Sequence, residues 1–163
     1  MEWCERTLVV APLSYGLCIT QKDFEKELKR LKIPAENRFN INKSPGAVYE
    51  FENDDGRVCC IVTISEDTQK LERNQITTLL VHEAVHVFQS IKELLGEHEP
   101  STEFEAYSIQ NISHNLLEAY DAMTLKQFKA DKKSGKIKTR KFADALSEKD
   151  RKKLESFLIP KET

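Results

Sequence analysis

The sequence predicts an α+β fold, and three stretches carry that expectation. Tyr49 to Ile64 reads as a β-hairpin, Leu71 to Leu95 as one long amphipathic helix, and a second helix is expected to open between Pro100 and Thr102. Length and composition agree: 163 residues, 39% hydrophobic and 32% charged, suit a globular chain with a single core.

The elements follow in order. Residues 7–11 (TLVVA) read as a short strand. The apolar run Leu8 to Ile19 is broken by Pro12, Ser14 and Gly16 and lacks the charged start and cleavage site of a signal peptide. No stretch approaches the roughly 18 apolar residues of a membrane span, so a cytoplasmic protein is expected. Thr20-Gln21-Lys22-Asp23 reads as a capped helix start, with Phe24, Leu28 and Leu31 as the apolar stripe and Pro34 beyond its end. A loop rich in Asn, Lys and Pro reaches about Gly46. Tyr49 and Phe51 then alternate with Glu50 and Glu52, Asp54-Asp55-Gly56 supplies a turn, and Arg57 to Ile64 is a β-branched and cysteine run. Ile76, Leu80, Ala84, Phe88, Ile91 and Leu95 recur at steps of three and four, and Gly96 stands where a helix C-terminus is capped. The next helix runs to about Tyr120. A short amphipathic piece at Leu125 to Phe128, a Lys-rich linker at 131–141 and a final helix from Ser147 to about Leu158 complete the chain.

Charge divides the chain unevenly. Residues 1–125 hold 12 Lys and Arg against 21 Asp and Glu, net −9, whereas 126–153 hold 12 against 4, net +8. We therefore expect a domain over 1–125 and a basic linker with a C-terminal helix over 126–163. The basic segment reads as a solvated face or linker, with docking to nucleic acid as the alternative. Cys4, Cys18, Cys59 and Cys60 form no CxxC pair and read as reduced core residues.

The stretch with chemistry is Val81-His82-Glu83-Ala84-Val85-His86-Val87, of the form HExxH. Residues four apart on a helix stand one above the other, so two imidazoles can reach one metal ion. The Glu between them can take a proton from a metal-bound water. A longer pattern with Gly at 89 and a ligand at 92 is excluded by Gln89 and Lys92. Candidates for a third ligand are Glu97, His98, Glu99, Glu103 and Glu105. Thr102-x-x-Glu105 fits a capping box, which offers Glu105 a structural role, while the small Ala106 beside Glu103 would let the second helix approach the first. Glu103 is preferred, with Glu105 its rival.

His82-Glu83-Ala84-Val85-His86, followed by Glu103-Phe104-Glu105-Ala106-Tyr107, resembles the gluzincin class of zinc metallopeptidases, most of all the minimal metallopeptidase-like proteins of phages and prophages. The resemblance spans about residues 57 to 120. It implies a small zincin-like domain, an antiparallel hairpin sheet packed on a metal-binding helix and a second ligand-bearing helix, with Arg57–Ile64 as its edge strand. It implies zinc held by His82, His86 and Glu103, Glu83 as general base, and a peptide or protein substrate. Tyr107 stands where the class commonly has Asp, so its role is left open among orienting His82, donating to the oxyanion and packing. A catalytically silent module of the same fold is the alternative to an enzyme. His114 is too far along its helix from Glu103 to join the same ion.

Overall fold

Side chains along a strand alternate between its two faces, and in Val58–Ile64 both faces are apolar, as an inner strand requires. The computed structural model describes residues 1–4, 12–34, 39–52 and 56–134. In it the strands β1 (Glu2–Trp3), β2 (Leu13–Cys18), β3 (Gly46–Glu52) and β4 (Val58–Ile64) form one sheet in the order β1-β2-β4-β3. The expected hairpin is present: β3 and β4 pair antiparallel from Gly46 opposite Ile64 to Glu52 opposite Val58. The other side of β4 pairs parallel with β2, Leu13 opposite Val58 through Cys18 opposite Thr63, and β1 lies antiparallel on β2.

The sheet is therefore mixed, and β4 is not the edge strand that the resemblance implied. The edge on that side of β4 is β3. The difference arises at Leu13–Cys18, where Pro12, Ser14 and Gly16 disguise a strand. Gly16 is a close-approach residue, since a Cβ there would stand 2.7 Å from Met1 Cε and 2.8 Å from the Glu2 carbonyl oxygen, where β1 crosses it. The strand expected at 7–11 lies outside the described residues.

Helix α1 (Gln21–Arg30) opens as expected, with Thr20 Oγ1 accepting from the Asp23 N–H at 3.1 Å. It covers one face of the sheet, where Phe24 joins Cys18, Ile41 and Ile61, with Tyr49 and Phe51 beside them. Helix α2 (Arg73–Leu94) and helix α3 (Thr102–Lys133) serve the other face. There Leu13, Tyr15, Leu17, Cys60, Val62 and Ile64 meet Ile76, Leu80, Ala84, Phe88 and Ile91 of α2 and Ile112 and Leu116 of α3. Phe88 and Phe104 meet edge to face at 6.0 Å, and Arg73 forms a two-pronged ion pair with Asp121, so α3 runs back along α2.

Helix α3 passes Tyr120 without a break and absorbs the piece at Leu125 to Phe128. The chain divides into two compact units, Met1–Met123 and Thr124–Thr163. The final helix expected from Ser147 lies outside the described residues, as does most of the basic segment. All four cysteines are free thiols, with Cys18 and Cys60 buried. Burial pushes each of those two up to about 12. Among the described residues no helix is long and apolar enough to cross a membrane.

Candidate metal centre

Helix α2 turns its apolar stripe inward, which leaves His82, His86, Gln89 and Glu93 on its outward face at helical spacing. The two imidazoles are exposed. Their rings stand 4.8 Å apart and nearly perpendicular, and their Nε2 atoms are 3.1 Å from each other. Two nitrogens bound to one tetrahedral zinc at about 2.0–2.1 Å would be separated by about 3.3–3.4 Å, so this pair is already near a shared-ion spacing.

Gln89 decides the proton positions. Its Oε1 can only accept, so at 2.9 Å His86 Nδ1 is the donor, and in the neutral imidazole Nε2 then carries the lone pair. A neutral His86 held in this way by Gln89 has its Nε2 lone pair turned toward His82 Nε2, the orientation that a shared ion would need.

Glu83 lies between the histidines in sequence yet turns toward the sheet, only 3% exposed. Burial raises its carboxyl above the ordinary carboxylate range, and the neighbouring His82 and His86 imidazoles pull it partly back. Among the described residues no donor is hydrogen-bonded to it. Gly46, Ala47 and Val48 of β3 and His82, Glu83 and His86 of α2 line one cleft of about 450 Å³. A larger cavity of about 800 Å³ lies between Trp3, Arg30 and Phe51 and contains none of the motif residues, so chemistry and not size selects the site.

The second helix does not bring a carboxylate to the histidines. Among the described residues no group of three or more His, Cys, Asp or Glu side chains stands together as a metal holder. Glu103 and Glu105 are both exposed, but on different sides of α3. Glu105 falls in line with Ser108, Ile109 and Ile112, all buried or half-buried, whereas Glu103 falls in line with Ala106, Tyr107 and Gln110, all exposed. The imidazoles are likewise exposed, on α2. Ala106 is exposed and is not the contact that was to draw the helices together. The capping box expected of Thr102 and Glu105 is replaced by Ser101, whose Oγ accepts from the Phe104 N–H at 3.3 Å. Glu105 is thereby released from that role. Tyr107 is 66% exposed, which removes packing from its three readings. Glu97, His98 and Glu99 are exposed in the inter-helix loop, and His114 Nε2 lies 3.4 Å from Glu118 on the helix surface.

Comparisons with known protein families, with curated proteins and with solved structures find no match. The chemistry of the site therefore carries the functional reading. Two residues escaped the sequence reading: Gln89 was weighed only as a non-ligand, and Gly46 only as the end of a loop. A glycine at the first position of a strand was the one available signal for the latter.

Proposed function

We propose that this chain is a zinc-dependent peptidase in which His82 and His86 hold the metal and Glu83 is the general base. The observation that carries the reading is the pair of Nε2 atoms 3.1 Å apart, with the buried Glu83 facing the same cleft. Glu103, on the outward side of α3, is the third ligand in this proposal, reached by closure of the α3 end toward α2.

When bound, zinc would polarise the scissile carbonyl and make a water acidic enough to attack it near neutral pH. Glu83 would accept a proton from the attacking water as the C–O bond forms and then hand it to the departing amine, whose protonation lets the C–N bond break. A buried carboxylate with a raised pKa is suited to both steps, because it holds the proton long enough to return it. Among the described residues the outer edge of β3 is unpaired and offers backbone donors and acceptors in a row beside Glu83, where an extended peptide would add as a further strand. β4, expected as the edge strand, is paired on both sides. Tyr107 is a candidate donor to the oxyanion.

The test is Glu83→Gln in the full chain. Zinc content should be unchanged, while hydrolysis of fluorescein-labelled casein falls by roughly 10²–10⁴-fold. Equal hydrolysis by the variant would remove Glu83 from the mechanism, and a wild-type protein that takes up no zinc would remove the metal.

A further inference from the structure

We infer that Gly46 is a positioning residue for Glu83: the absent side chain at the start of β3 is the seat in which the carboxylate rests. A Cβ built on Gly46 would stand 2.7 Å from Glu83 Oε1, 3.1 Å from Glu83 Cδ and 3.2 Å from Leu79 Cδ1. Carbon and oxygen do not approach that closely without bonding, so any side chain at 46 and the present carboxylate position exclude each other.

The strand cannot retreat to make room. The Pro45 carbonyl accepts from the Ser65 N–H at 3.0 Å, the Gly46 carbonyl accepts from Ser44 Oγ at 2.7 Å, and Gly46 is in register with Ile64. Backbone on both sides of the glycine is thus held by β4 and by its own turn. Glu83 Oε1, in contrast, is the free end of a rotatable side chain. A methyl group at 46 therefore displaces the carboxylate by about 0.5–1 Å and leaves the sheet in place. Left-handed backbone does not explain this glycine; close approach does.

The consequence rests on the proposed role of Glu83. Misplacing a reacting group by about 1 Å can cost on the order of 10²-fold in rate. Gly46→Ala should keep the fold, bind zinc as tightly as wild type, and lose kcat on a mixed-sequence quenched peptide library by about 10²-fold, with KM changed less than about threefold. A glycine needed only for folding would instead lower melting temperature and zinc content together.

A second measurement is independent of any activity. In metal-free protein, Gly46→Ala is placed in wild-type and in Glu83→Ala backgrounds, and the four melting temperatures form a cycle. Removing the carboxylate removes the collision, so the drop caused by Gly46→Ala should shrink or vanish in the Glu83→Ala background. Equal drops in both backgrounds would overturn the seat. Wild-type protein inactive on the library, with a coupled cycle, would instead overturn the peptidase reading and leave the contact standing. Full kcat in Gly46→Ala would overturn the inference outright.

Discussion

Gln89→Met tests whether the histidine pair is built for a metal. The substitution keeps length and flexibility but removes the oxygen that accepts from His86 Nδ1 at 2.9 Å. Without it, His86 is free to place its proton on Nε2, the atom that must face the ion. Loss of such an outer partner costs about 10–100-fold in metal affinity. Gln89 is exposed, and water replaces part of the lost bond, so about tenfold, or roughly 1.4 kcal/mol, is expected. Stability of the metal-free protein should change by less than about 0.5 kcal/mol, since no buried group is touched. Gln89→Glu should act oppositely, because a charged acceptor makes a stronger bond to Nδ1–H. Zinc dissociation constants from competition with a chromophoric chelator, at one pH for all three proteins, provide the comparison. The reasoning is refuted if Gln89→Met binds zinc as tightly as wild type and Gln89→Glu binds no tighter.

Other outcomes follow from the same geometry. Glu103→Ala should weaken zinc binding severely while Glu105→Ala leaves it intact, measured by the same competition; the reverse result would show that α3 rotates when the site closes. Tyr107→Phe should lower kcat without altering zinc content, and an unchanged kcat would leave the exposed hydroxyl without a catalytic part. Leu80→Ala, at the centre of the α2 contact with the sheet, should cost about 2–5 kcal/mol in denaturant unfolding. The thiols of Cys18 and Cys60 are raised from 9.0 to about 12, so their contribution is fully present below the unfolded-state pKa and is lost as pH rises toward 12. The free energy of unfolding should therefore fall from pH 9 to pH 11, by up to about 1.4 kcal/mol per thiol per pH unit, and the Cys18→Ala/Cys60→Ala protein should show a shallower slope.

Local rules were enough for much of this chain. The hairpin at Gly46–Ile64, the cap at Thr20 and the inward stripe of α2 depend on neighbours within a few residues, and periodicity states them directly. The HExxH spacing likewise places His82 over His86 whatever surrounds the helix. Leu13–Cys18 was illegible because its strand character depends on partners: Pro12, Ser14 and Gly16 argue against a strand until β4 lies on one side and β1 on the other.

What the sequence by itself determined is which groups can meet about one turn apart on a helix, namely the two imidazoles, with the glutamate between them in the chain. Only the tertiary structure decided which way each faces. Packing the apolar stripe of α2 on the sheet sends His82 and His86 outward and turns Glu83 toward β3, and pairing β4 on both sides leaves β3 as the open edge. The reason is that a side chain's direction is set by the whole helix finding its buried face, a contact among residues tens of positions apart. Gly46 shows this most directly: it lies 37 positions before Glu83, and only the fold makes its missing methyl group the space that the carboxylate fills.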